Sequence, residues 1–232
     1  MAEFNTNVEK YLYSRDHFRR VAQNDFLRLN PNANDLVAIS GELVSSIVLF
    51  LSGKCIRDIS NGLYIGDLII SFCRSHFISV DLILGGELVE ASVILRKQME
   101  LIARLNECME NVDIESLIKR TPNVKHLKTK IKRLYSDYSE IAHSASPNSI
   151  SILGRIEHEG NNFTPVYPIF EKNSYVALQH LTLLVFEFYL SWLPFSESNL
   201  VAYDGTRNAI LFQELIEKYQ AMFSDSEFRN LK

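Results

Sequence analysis

Arg96 and Glu100 stand four residues apart, a spacing that makes two side chains neighbours on one helix surface, and His143 closes a second helical pattern further along the chain. A guanidinium beside a carboxylate can hold an anion or orient an imidazole. A histidine, titrating near neutral pH, is the side chain best suited to moving a proton. Only contact between His143 and the Arg96–Glu100 pair, or with a second subunit, would join the three in one site. Each also has a plainer reading. With Arg N-terminal to Glu the pair has the weaker helical orientation, and an exposed pair contributes at most about 1 kcal/mol. His143 would then be an exposed histidine favoured by a helix C-terminal dipole. Val89 and Val93 sit beside Arg96 on the helix surface, and the pair is covered only if they mark a second packed face.

The segment 117–133 holds Lys119, Arg120, Lys125, Lys128, Lys130, Lys132 and Arg133 with no Asp or Glu, a charge of +7 in a chain whose total is −4. Such polarity in an otherwise acidic protein points to RNA or another phosphate-bearing ligand, or to an acidic patch on a sister subunit. No aromatic residues are interleaved there to stack bases.

Other chemistry has little support. Glu157-His158-Glu159 resembles half a metal site, but no matching cluster accompanies it. Glycine-rich phosphate loops, H-E-x-x-H and G-x-S-x-G are lacking. No metal or cofactor is expected. Cys55, Cys73 and Cys108 are widely spaced in apolar surroundings and read as buried reduced thiols. The charged N-terminus shows no secretory pattern, and the apolar runs 45–51 and 181–195 are too short, or interrupted by Glu187, for a membrane span. A soluble, cytoplasmic protein is expected.

The elements that must position these residues are helices. Hydrophobic residues make up 47% of the chain while Gly (9) and Pro (6) are scarce, which favours long helices over many short strands. A polar amphipathic helix is expected over 4–29, then a break at 30–35 with Asn34 or Asp35 as the next N-cap, then an apolar helix over 36–51. A second apolar helix, 63–84, stops at Gly85-Gly86. The helix 86–109 carries a wide apolar stripe of Leu88, Ala91, Leu95, Met99, Ile102, Leu105 and Met109. Thr121-Pro122-Asn123 opens a helix over 123–145, with Val124, Leu127, Ile131, Leu134, Tyr138 and Ile141 in register. The period then changes to two short extended arms, 150–156 and 163–169, joined through Glu159-Gly160-Asn161-Asn162. Helices at 174–192, ended by Pro194, and 208–223 complete the chain. The expected fold is all-α: an antiparallel four-helix bundle core with flanking helices and a small β-hairpin insertion. A single domain follows, with accessory helices in 1–60, the core in 63–195, the hairpin at about 150–169 and a C-terminal helix at 208–223.

The run Glu90-Ala91-Ser92-Val93-Ile94-Leu95-Arg96-Lys97-Gln98-Met99-Glu100, followed by Tyr138-Ser139-(x)₃-His143, resembles a group of bacterial helical proteins. Those pair an A-x-x-x-x-R-x-x-x-E helix with a Y-x-x-S-x-x-x-H-type helix end. More distantly the chain resembles the HEPN superfamily, helical bundles that are often metal-independent ribonucleases of antiphage and toxin systems. The resemblance covers about residues 63–195. It implies a homodimeric bundle in which Arg96, Glu100 and His143 line a shared cleft. The ribonuclease members separate an Arg from a His by four to six residues. Ser136, Asp137 and Tyr138 occupy those positions before His143, whereas Arg120 and His126 meet the spacing, with Pro122 placing Arg120 outside the helix that bears His126. A non-catalytic helical interaction or sensor module, dimerising or binding a small anion, is the alternative.

Overall fold

Thr6 opens the first helix with a capping box: its hydroxyl accepts the Glu9 amide, and the Glu9 carboxylate accepts the Thr6 amide. The computed structural model describes residues 6–53, 61–110, 113–144, 147, 151–200 and 203–223; Cys55, Ala145 and Ile150, which figure in the expectations above, lie outside them. The helices are α1 (Asn7–Leu29), α2 (Ala33–Leu51), α3 (Gly62–Leu84), α4 (Leu88–Met109), α5 (Ile114–Leu117), α6 (Tyr135–Ala142), α7 (Asn173–Asn199) and α8 (Thr206–Phe223). The N-cap of α2 is Asn32 rather than Asn34 or Asp35, because the helix already begins at the fully buried Ala33.

α3 and α4 form the central antiparallel pair. α3 ends in a Schellman motif: the Glu87 amide donates to the Leu82 carbonyl and the Gly86 amide to that of Ile83. Gly86 adopts a φ of 78°, and a Cβ there would run into the Ile169 carbonyl, so both conformation and space require glycine. α7 packs on α3 and α4, and α2 closes the bundle against α3 and α7; α8 lies on α2 and α7, α6 on α4, and α1 flanks α3. Phe72 of α3 stacks on Phe188 of α7 with ring centroids 4.1 Å apart, near the middle of one continuous apolar core. The fold is therefore all-α with a small hairpin, as expected.

The fourth corner of the bundle differs from expectation. The segment 123–145 is not one helix but two single 3-10 turns, Val124–His126 and Lys130–Leu134, followed by α6. Its apolar positions still turn inward, with Leu127, Ile131 and Tyr138 buried. The backbone between the turns is diverted by a side chain from α7. The carboxylate of Glu187, itself fully buried, accepts the amides of Lys128 and Thr129. Asn123 and Thr129 then cap the Lys125 and Ile131 amides with their own side chains, which competes with a continuous helix. α2, placed among accessory helices by the sequence pattern, takes the vacated corner.

α7 also runs past its expected stop, with Pro194 inside it. Proline has no amide to offer the carbonyl four residues back, which is that of Leu190. The Lys128 ammonium donates to that carbonyl at 2.7 Å instead. One segment thus repairs the defect in α7 while α7 shapes the segment. By length and composition α2 and α7 are long and apolar enough to cross a membrane, although 72% of the most apolar stretch of α7 is buried within the bundle.

The hairpin is shorter than expected. β1 (Ile156–His158) pairs antiparallel with β2 (Asn161–Phe163) in the register Ile156 to Phe163, and every residue of both strands is exposed. Glu159 and Gly160 both have positive φ, 51° and 78°, which makes the tip a two-residue type I′ turn. Pro165 and Pro168 cannot donate to a ladder, and Ser151–Leu153 coils into a 3-10 turn, so neither arm extends as far as its apolar pattern suggested.

Candidate functional site

Leu88, Ser92, Arg96 and Glu100 follow one another along α4 at one-turn intervals, and α6 lies across this face. Arg96 Nε donates to Glu100 Oε1 at 3.2 Å, Nη2 to the Tyr135 hydroxyl at 3.3 Å, and Nη1 meets His143 Nε2 at 3.0 Å. Tyr135 in turn donates to Glu100 Oε1 at 2.6 Å. The three residues singled out from sequence therefore meet at one place, joined by a fourth. Arg96 and Glu100 side chains are 22% and 24% exposed, so the pair is largely covered rather than splayed on the surface.

The protonation pattern follows from chemistry. A guanidinium can only donate, so in the 3.0 Å contact His143 Nε2 is the acceptor. Burial works against the Arg96 charge, but Tyr135 and Glu100 outweigh it and raise its pKa. Burial, then the hydrogen bond to Glu100, raises that of Tyr135 and keeps its proton in place. His143 stands at the C-cap of α6, its amide bonded to the Ser139 carbonyl. Ser144 follows in the left-handed region at φ 47°, turning the chain away immediately after the imidazole. An anion arriving at Arg96 would compete for Nη1 and free the lone pair of His143.

A second polar cluster lies two to three turns further along α4. Glu107, fully buried, pairs with Arg104 and Arg120, each at 3.1 Å, and accepts the Asn123 amide at 3.1 Å. His126 Nδ1 lies 3.1 Å from Glu110, and its Nε2 lies 3.9 Å from Glu107. Asn106 Nδ2 donates to the His126 carbonyl at 2.9 Å, and Arg104 donates to that of Arg120. Arg120 and His126, matched by spacing in the sequence, do come together, but around a buried carboxylate that anchors their loop to α4.

The remaining basic residues divide. Lys128 is committed to the Leu190 carbonyl and Lys130 is half-buried. Lys119, Lys125, Lys132 and Arg133 are exposed, with no ion pair among the described residues, and the last two lead directly into α6. His158 at the hairpin tip is exposed beside Glu159, and no group of three metal-ligating side chains is gathered among the described residues.

Sequence reasoning passed over Tyr135, although its signal was present: 135, 139 and 143 lie at successive helical turns, on the face bearing His143. It also passed over Glu107, which lies two turns beyond Glu100 on the same polar face of α4. A third contact was illegible. Tyr138 shares a 2.6 Å hydrogen bond with His180 Nδ1 beside a cavity of about 150 Å³ lined by Leu88, Ser92, Leu134 and Ile141. Burial pushes the Tyr138 hydroxyl up and His180 down to about 4, so both are neutral.

These features define an all-α helical bundle whose polar side chains are gathered along one helix, α4, and the segment that crosses it. Compared with family models, with curated proteins and with solved structures, the chain has no match.

Proposed function

We propose that this is a HEPN-like protein acting on nucleic acid: a cytoplasmic, homodimeric, metal-independent endoribonuclease of a defence or toxin system. The observation that carries the reading is the 3.0 Å contact between Arg96 Nη1 and His143 Nε2, which brings an anion-holding group and a proton carrier to one partly open place. Lys132 and Arg133, with Lys119 and Lys125 further off in sequence, would guide the phosphate backbone towards it. A scissile phosphate would take over the Nη1 and Nη2 donors of Arg96. His143 Nε2, released, would accept the proton of the 2′-hydroxyl as that oxygen attacks phosphorus and the P–O5′ bond breaks. The leaving oxygen would take a proton from the imidazolium or from water.

A second reading has its own support. Every guanidinium nitrogen of Arg96 already has a partner within the chain, as in a purely architectural network or a module that binds a small anion without reaction. Incubating the purified protein with total RNA in EDTA separates the two. For the enzyme, cleavage falls by at least about a hundredfold in His143→Ala and little in His126→Ala. RNA left intact by the wild type, with or without salt-dependent binding, favours the module.

A further inference from the structure

α3 presents a second, unrelated pattern. Between Ile65 and His76 only Asp67, Ile70 and Arg74 are exposed; every other residue is buried or half-buried. Extended in both directions, the exposed positions run Leu63, Asp67, Ile70, Arg74, Phe77 and Asp81, alternating steps of four and three residues. That is the seam spacing by which one helix packs along another. Three of the six are large and apolar, and Ile78 lies beside them; Leu63 is 67%, Ile70 39%, Phe77 48% and Ile78 50% exposed. α1 reaches this row only at its C-terminal end, where Arg19 pairs with Asp81; neither Asp67 nor Arg74 takes part in an ion pair among the described residues.

The order of these residues identifies what fits. If a second α3 is laid antiparallel about a two-fold axis passing between Ile70 and Ser71, Asp67 of each chain comes opposite Arg74 of the other. Leu63 comes opposite Ile78, again twice, and the two Ile70 side chains meet beside the axis. Both charges left alone in the monomer find opposite partners, and all the apolar positions from Leu63 to Ile78 face apolar or small ones. A parallel arrangement would instead set Asp67 against Asp67 and Arg74 against Arg74, like charge on like. This is the self-complementarity an isologous two-fold contact requires.

We infer that α3 is the homodimer interface of this protein, packed antiparallel against α3 of a second copy through Leu63, Ile70, Phe77 and Ile78 and locked in register by reciprocal Asp67–Arg74 pairs. The stretch from Leu63 to Ile78 is about 22 Å long, which places the contact at the small end of specific interfaces and its dissociation constant at roughly micromolar. α6 packs on α4 and the Arg96–His143 contact forms within one chain, so an α3 interface leaves each copy its own pair rather than the shared cleft that the resemblance implies. It does not depend on the reading of the protein as a ribonuclease.

Sedimentation of the full chain across a concentration series tests it. The wild type is expected to show a reversible monomer–dimer equilibrium. Ile70→Asp is expected to be monomeric. Asp67→Arg and Arg74→Asp should each weaken association by at least about tenfold, and the double reversal Asp67→Arg/Arg74→Asp should restore most of it, since the pairs re-form with signs exchanged. All three positions are exposed, so helicity by circular dichroism should match the wild type. A monomeric wild type, a dimeric Ile70→Asp variant, or a double reversal no better than its singles overturns the assignment. RNA binding or cleavage per chain should be unchanged in the Ile70→Asp monomer, so failure of the ribonuclease reading leaves the association result standing.

Discussion

A guanidinium has three nitrogens, and those of Arg96 reach a carboxylate, a phenol and an imidazole on two elements of the fold. A lysine ammonium carries its three donors on a single atom, whereas the planar fork spreads them over three nitrogens and so reaches Tyr135 and His143 together. The second arginine cluster works differently, because its centre is an acid. Glu107 has no exposed surface, and Arg104 beside it is 4% exposed, so removing the carboxylate leaves a cation without compensation in a dry place. Glu107→Ala is expected to lower stability by about 3–5 kcal/mol, read from the urea midpoint, and to loosen the loop bearing Arg120 and His126. A loss under about 1 kcal/mol would show that Glu107 is not the anchor described. At this scale much was legible: Arg96, Glu100 and His143 announce themselves by type and spacing. Tyr135 and Glu107 do not, because an aromatic residue and an isolated acid in helical sequence are ordinary until their neighbours are known.

Among the elements, α7 and the segment that crosses it depend on each other. Glu187 of α7 breaks the helical ladder at Lys128 and Thr129, and Lys128 supplies the donor that Pro194 denies to Leu190. Lys128→Met should therefore cost about 1 kcal/mol, the usual value of a lost hydrogen bond at a partly exposed carbonyl. In a Pro194→Ala background the amide returns to the helix, and the same Lys128→Met change should cost less by about 0.5–1 kcal/mol. A double-mutant cycle in urea measures that coupling; additive changes would mean that Lys128 and Pro194 are not linked. Neither residue carries the signal alone. A proline in a helical pattern ordinarily predicts a stop, and the lysine that rescues it is remote in sequence.

For the molecule as a whole, two histidines are enclosed. His76 is fully buried with neither ring nitrogen hydrogen-bonded among the described residues, and His180 is nearly as enclosed. Burial pushes both imidazoles down from 6.5 to about 4. The unfolded chain therefore takes up protons below about pH 6.5 that the folded chain refuses until about pH 4. Stability is complete above the upper value, falls as pH drops between the two, and falls no further from this cause below the lower. Each shift corresponds to roughly 3 kcal/mol across that window. The urea midpoint should be clearly lower at about pH 5 than at about pH 7.5, and His76→Leu should remove roughly half of the histidine-linked difference. Equal midpoints at the two pH values would contradict neutral, enclosed imidazoles.

The helices α3, α4 and α7, the Gly85-Gly86 reversal and the presence of a hairpin were all written in local pattern: apolar stripes of helical period, few breakers, and glycines where the chain must turn. Such features need only neighbours in sequence, since each helix hides one stripe whatever covers it. What lay across the bundle was decided only in three dimensions. A carboxylate in α7 breaks a helical register some sixty residues earlier, and a lysine there lets α7 continue through its proline. His143 reaches Arg96 across forty-seven positions because α6 is short and ends where α4 passes beneath it. Backbone amides bond to the best acceptor within reach, and for these residues that acceptor is remote in sequence and near only after folding.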